Sequence, residues 1–227
     1  GSGHSFPTRR SSDLHTFVTG GLLGTFLHPK PQRALVIGLG TGETTGWMAA
    51  VPEITHVDSV EIEPAIHKVA EECGVANQNA LVNPKVTYLI GDARELLLTT
   101  PARYDVVLSN PSNPYRAGVA SLYTQQYYES AQRRMAPGGL FVQWVQAYDV
   151  DNRTMLSIYA TLSSVFPAVE TWMTELGDML LVASSAPLTH DVPTLRRKLE
   201  QEPFRTGLRR VLRVTSLEGF LAHHVAR

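Results

Sequence analysis

The chain has 227 residues, 43% of them hydrophobic, the size of one ordinary α/β domain with room for a small appendage. Its formal net charge is -1, so the molecule as a whole gives no electrostatic case for a nucleic-acid partner. No stretch approaches the length of a membrane span, and a single cysteine, Cys73, rules out an internal disulfide and fits a reducing, cytoplasmic setting.

Residues 1–14 read as non-native. Gly1-Ser2-Gly3-His4 resembles a tag remnant, and SFPTRRSSDL at 5–14 has no apolar period and resembles translated adapter sequence. It also lacks the apolar run of a signal peptide. The native chain is expected to begin further upstream.

From residue 34 onward, β-rich runs alternate with helical ones. ALVIG at 34–38 is a continuous apolar run ending in glycine, as expected of a strand buried on both faces. A helix is predicted over 43–50, a strand over 56–62, and a helix led by Pro64 through residue 72. Cys73 falls where that helix ends before Gly74, and reads as a partly buried thiol. Residues 86–92 predict a third strand, 93–98 a short helix and 104–109 a fourth strand.

A helix over 122–135 is expected to stop at Pro137-Gly138-Gly139. A fifth strand follows at 140–146, then a helix over 151–165. The grammar then changes. VETWMTE and DMLLVAS are separated only by Leu176-Gly177 and predict an antiparallel hairpin.

Residues 187–227 read as two helices that end without a C-cap. From Ala186 the chain carries eight Lys/Arg against four Asp/Glu, which reads as solvated helix faces. His223 and His224 are adjacent and lack the i, i+4 spacing of a helical ligand pair, so no metal is expected. The predicted fold is α/β: a Rossmann-like methyltransferase fold with a mostly parallel sheet, a terminal antiparallel hairpin and a short helical C-terminal tail. The division is 1–14, a nucleoside-binding domain over 15–186, and a tail over 187–227.

In such sheets, ligands bind beyond the carboxyl ends of the strands. In Gly38-Leu39-Gly40-Thr41-Gly42, glycines let backbone N–H groups approach a polar ligand, and the next helix adds a favourable dipole. Enzymes that use nicotinamide dinucleotides share such loops. Glu61, 23 residues after Gly38, ends the second strand and can accept both ribose hydroxyl protons. Asp92, in Gly91-Asp92-Ala93, can accept from an adenine amine while also capping a helix, because a carboxylate has two oxygens. Glu61, Asp92 and the hairpin together favour an adenosyl sulfonium over a nicotinamide cofactor.

The loop after the fourth strand, Asn110-Pro111-Ser112-Asn113-Pro114-Tyr115, sets two amides beside that site, although Asn and Pro are also common turn formers. Tyr115 and Tyr123 are candidate acceptor-binding aromatics. Tyr127, Tyr128, Trp144 and Trp172 read as core.

ALVIGLGTGETTG, VDSVEIEPAI, GDARELL, YDVVLSNPSNPYRAGVASLYTQQYYE and MAPGGLFVQWVQAYD together resemble the spermidine synthase-like branch of the polyamine aminopropyltransferases. The likeness runs from about His28 to Ser184 and is greatest to bacterial versions often attached to a membrane transporter-like part. It implies the methyltransferase-like fold, decarboxylated S-adenosylmethionine as aminopropyl donor, a polyamine acceptor and a dimer or tetramer. Gly38, Gly40, Glu61 and Asp92 match the family's cofactor residues, with Gly42 and Ala93 beside them.

Two departures bear on the chemistry. Asn110 and Asn113, the candidate catalytic pair, stand where the resemblance implies an Asp-x-x-Asp pair. An alkylamine has a pKa near 10, so a carboxylate is needed to hold a polycation and help remove its proton, and an amide is neither base nor counter-charge. Asp149 and Glu43 are the carboxylates that could replace the missing charge. The β-hairpin region that closes over the substrates in this family has no counterpart before residue 28.

Two other functions stay open. Asn110-Pro111 and Asn113-Pro114-Tyr115 resemble the Asn-Pro-Pro-Tyr loop of S-adenosylmethionine-dependent amine methyltransferases. The third reading is a nucleoside-binding domain without catalysis, serving a membrane partner.

Overall fold

The computed structural model of the chain describes residues 11–112, 114–116, 118–147, 150–174 and 177–227. Five strands run parallel: β1 (Arg33–Ile37), β2 (His56–Glu61), β3 (Val86–Ile90), β4 (Tyr104–Ser109) and β5 (Met135–Val145). β6 (Ala168–Met173) and β7 (Met179–Ser184) form the antiparallel hairpin that the sequence predicts, with β7 against β5. Glu175 and Leu176, at its turn, lie outside the described residues. A short β8 (His224–Ala226) pairs with β6, so the sheet order is β3-β2-β1-β4-β5-β7-β6-β8.

Helices cover both faces. On one lie α1 (Ser11–Leu27), α2 (Glu43–Ala49), α7 (Val192–Leu199), α8 (Phe204–Leu212) and α9 (Leu217–Leu221). On the other lie α4 (Ala93–Thr99), α5 (Gln125–Arg133) and α6 (Asn152–Ser163), while α3 (Ile66–Glu72) follows β2. Strand alternation feeds both cores. Ala34 and Val36 join Phe26, Phe204, Trp172 and Phe220, and Leu35 and Ile37 join Tyr128, Phe141 and Phe166. A strand buried on both faces must be apolar throughout, which is why residues 34–37 show no polar alternation. Cys73 caps α3 and is half-buried, as read from the sequence. Among the described residues, no helix is long and apolar enough to cross a membrane.

Three elements differ from the sequence reading. First, α1 starts at Ser11 and runs through residues that periodicity leaves unassigned. Its HTFVTGGLLGTFL stretch is unpromising as an isolated helix, since each interior glycine costs about 1 kcal/mol relative to alanine. Packing reverses the balance: a Cβ on Gly21 would lie 2.6 Å from the backbone oxygen of Thr44 in α2, so bare glycine permits the close contact.

Second, no single helix spans 122–135. A 3-10 turn covers Val119–Tyr123, then Thr124 starts α5 anew, its hydroxyl accepting the Tyr127 N–H at 3.3 Å. Met135 already belongs to β5, and Pro137-Gly138-Gly139 is an irregularity inside that strand, where its register against β4 shifts. Third, the tail contains three helices and β8 where the sequence predicts two helices. Lys198 of α7 donates to the carbonyls of Thr25, Phe26 and His28, satisfying groups left open at the end of α1.

Within β2, Asp58 is 5% exposed and accepts from Arg33, His56 and Tyr104, each at 2.9 Å. Burial alone would raise its pKa, but these three hydrogen bonds and the Arg33 charge outweigh it, and the net shift is downward. A carboxylate depressed in the folded state contributes stability above its unfolded pKa of about 3.9 and loses it as pH falls through the folded value. Asp58→Asn is therefore expected to destabilise the protein by about 2–3 kcal/mol at pH 7. The gap from wild type should begin to narrow below about pH 4. Urea midpoints at pH 7, 5 and 3.5 check this, and a gap that stays constant with pH would refute the assignment.

Candidate nucleoside site

The chain lays β1, β2 and β3 outward in order, then returns to place β4 on the other side of β1. Connections leave β1 and β4 in opposite directions, and a crevice opens past their carboxyl ends. A cavity of about 270 Å³ lies there.

Glycine 38 forms its floor. Its φ is +92°, and a Cβ on it would lie 2.7 Å from the carbonyl oxygen of Asn110, so no side chain fits. The Gly38 N–H donates to Val60 O and the Asn110 N–H to Ile37 O, both at 2.9 Å, which ties the loop to three strand ends. Gly42, with φ +81°, donates to Leu39 O at 2.9 Å and caps α2.

The half-buried Glu61 reaches this loop from β2. Its Oε2 accepts the Leu39 N–H and its Oε1 the Glu63 N–H, both at 3.0 Å. Each oxygen retains a lone pair, so the carboxylate is oriented and can still accept from a diol. Asp92 also lines the cavity, just past the end of β3, where it caps α4 by accepting the Arg94 N–H at 2.8 Å. The Arg94 guanidinium also pairs with Asp92 and holds its carboxyl below the usual range. Two carboxylates and one guanidinium among the described lining residues give the cavity a sign that suits a cationic ligand.

Gly38, Glu61, Asp92, Ala93 and Asn110 thus come together around one space. The other sequence candidates fall elsewhere. Gly40 and Gly42 belong to the loop without lining the cavity. Tyr115 is 63% exposed on the following loop. Tyr123 is buried beneath that loop, its hydroxyl donating to the carbonyls of Ser112 and Trp144 at 3.4 Å, and burial raises its pKa. Asn113 and Asp149 lie outside the described residues. Glu43 is 2% exposed in the first turn of α2 and does not line the cavity.

Four residues escape the sequence reading. Ile62 is 68% exposed in the cavity wall, with Val119 and Leu122 lining it as well. These are apolar surfaces for a flat ring, and the exposed Ile next to Glu61 was the available signal. Asn77 had none. It is 1% exposed and donates to Thr41 O at 2.8 Å and Ala70 O at 2.6 Å, stitching the glycine loop to α3. Its partner Thr41 is 36 residues away, beyond any local pattern.

Comparison with known proteins agrees with this architecture. A solved spermidine synthase in complex with the transition state analogue AdoDATO superimposes with a TM-score of 0.81 at 18% identity, covering 97% of this chain and 75% of that one. Human Methyltransferase-like protein 13 in complex with SAH gives 0.63 at 21% identity, covering 88% and 92%. At those identities the likeness is one of fold.

In sequence, the spermidine synthase of Dictyostelium discoideum is 26% identical over 145 residues, 64% of this chain and 51% of its own. The chain spans about half the length of the first curated relatives it matches. Residues 21–179, well over half the chain, match the spermine/spermidine synthase domain. With the methyltransferase-like sheet beneath that match, the chain belongs to the spermine/spermidine synthase family.

Proposed function

We propose that this protein binds decarboxylated S-adenosylmethionine and transfers an aminopropyl group from it to a polyamine. The carrying observation is the Glu61 carboxylate, held by the Leu39 and Glu63 N–H groups in the wall of a cavity that Asp92 also lines. In this reading Glu61 takes the ribose hydroxyls, Asp92 the base amine, and Ile62 and Leu122 the faces of the ring. The absence of a side chain at Gly38 leaves room for the nucleoside's 5′ end.

The donor supplies an electrophilic carbon next to its sulfonium. The protein's task is to present a neutral amine to that carbon and shed the amine's proton. Asn110, at the end of β4 and in the cavity wall, can orient the amine through its amide oxygen but cannot take the proton. Transfer to a polycation should therefore be slow. Asn110→Asp restores one charge-assisted contact of about 1.5–3 kcal/mol and should raise aminopropyl transfer about 10- to 100-fold in kcat/KM. No gain in a steady-state assay would count against this role for position 110.

One observation favours a second reading. The Asn110-Pro111 pair lines the cavity, and an amide there suits methyl transfer to an amine from S-adenosylmethionine. Incubation with each donor plus putrescine, spermidine and a cell extract, read by mass spectrometry, separates the two. An aminopropylated polyamine supports the first reading, and a methylated product replaces it with the second. Nucleoside binding with no adduct leaves a domain that binds without catalysing.

A further inference from the structure

Both oxygens of the Asp92 carboxylate already have partners inside the protein. Oδ1 accepts the Arg94 backbone N–H at 2.8 Å and the Arg94 Nε at 3.1 Å. Oδ2 accepts the same Nε at 3.1 Å and Nη2 at 2.6 Å. The single Nε hydrogen is shared between the two oxygens, so three N–H groups of Arg94 engage a carboxylate that offers about four lone-pair sites. The fork-shaped guanidinium therefore occupies the edge at which a base amine would bond.

Helix stability does not account for this placement. Arg94 lies in the first turn of α4, where the helix dipole disfavours a cation, and the cap contact from its backbone N–H needs no guanidinium. The side chain is 50% exposed and lines the cavity, so it has both a position beside the ligand and a path into solvent.

Building on the nucleoside reading above, we propose that Arg94 is a specificity-determining residue, competing with the exocyclic amine of the base for Asp92. In the free protein the pair satisfies itself. As a nucleoside enters, Oδ2 passes from Nη2 to the amine N–H and the guanidinium swings toward solvent. The exchange reverses when the thioether product leaves, so the competition lowers affinity for donor and product alike and favours release. A purine with hydrogen in place of the amine offers Asp92 no N–H donor on that edge and gains nothing from removal of Arg94.

The test compares S-adenosylhomocysteine with its purine-riboside analogue, which carries hydrogen in place of the 6-amino group, by titration calorimetry on wild type, Arg94→Met and Arg94→Lys. Breaking an exposed ion pair costs up to about 1 kcal/mol, so Arg94→Met should bind the adenosyl ligand up to about five-fold more tightly. It should bind the purine-riboside ligand no more tightly than wild type does. Arg94→Lys, which cannot bridge both oxygens, should fall between them. A purely structural role for Arg94 would move both ligands together. Weaker or unchanged adenosyl binding in Arg94→Met, or an equal gain for both ligands, overturns the competition. Failure of every form, wild type included, to bind either ligand overturns the nucleoside reading on which it rests.

Discussion

Replacing Glu61 with alanine is expected to weaken binding of S-adenosyl nucleosides by about 100-fold or more. Two hydrogen bonds from ribose hydroxyls to a carboxylate are worth about 1.5–3 kcal/mol each, and each 1.4 kcal/mol is a factor of ten. The loss has a second component, because the Leu39 and Glu63 N–H groups lose their acceptor and the glycine loop loses a tie to β2. Glu61→Gln separates the two. Its amide oxygen can keep one backbone contact, while its NH₂ group cannot accept from a hydroxyl, so binding should remain poor with the fold less disturbed. Calorimetry gives the affinities and a urea midpoint reports the fold. Binding of Glu61→Ala within about three-fold of wild type would remove Glu61 from the site.

A stability effect of similar size is expected at Gly46, with a sign opposite to helix propensity. In an exposed helix interior, alanine is about 1 kcal/mol better than glycine. Gly46 sits inside α2, but a Cβ there would overlap the backbone carbonyl of Asn77. That carbonyl has little freedom to retreat. The Asn77 side chain is bonded to Thr41 and Ala70, and Gln78 and Asn79 are held at positive φ, +57° and +53°.

Gly46→Ala is therefore expected to destabilise the fold by about 3 kcal/mol. It should also weaken nucleoside binding, since α2 begins directly after the glycine loop. Gly20→Ala in α1 is the contrasting case. Its Cβ would meet only Leu108, at 3.6 Å, so ordinary propensity should apply and stability should rise by up to about 1 kcal/mol. Urea midpoints that rise for both variants would show that the contact at Gly46 is not constraining.

These residues mark where the chain was legible before folding and where it was not. Strands carry their burial in a local pattern. ALVI must be apolar on both sides because helices cover both faces, so β1 is readable from four letters. Caps are local too, which is why Asp92 could be assigned both a cap and a ligand role from Gly91-Asp92-Ala93. Helix α1 was not readable, because its glycines lower intrinsic propensity and their value lies in a contact with α2. Residues 122–135 read from sequence as one helix ending at Pro137-Gly138-Gly139, whereas the Thr124 cap divides the stretch.

The candidate site divides along the same line. Gly38, Glu61 and Asp92 end three strands whose order the βα alternation implies, so their convergence follows from the sequence alone. Asn77 and the pairing of Arg94 with Asp92 do not. The first depends on a contact between distant segments, and the second on a side-chain rotamer that no spacing encodes. The sequence by itself determined the parallel sheet, its terminal hairpin and the two carboxylates that line the cavity, because each rests on periodicity or on the end of a strand. Only the tertiary structure decided that Tyr123 is buried beneath the loop, that Arg94 already occupies Asp92, and that the tail closes over α1, because those outcomes depend on which surfaces meet across the chain.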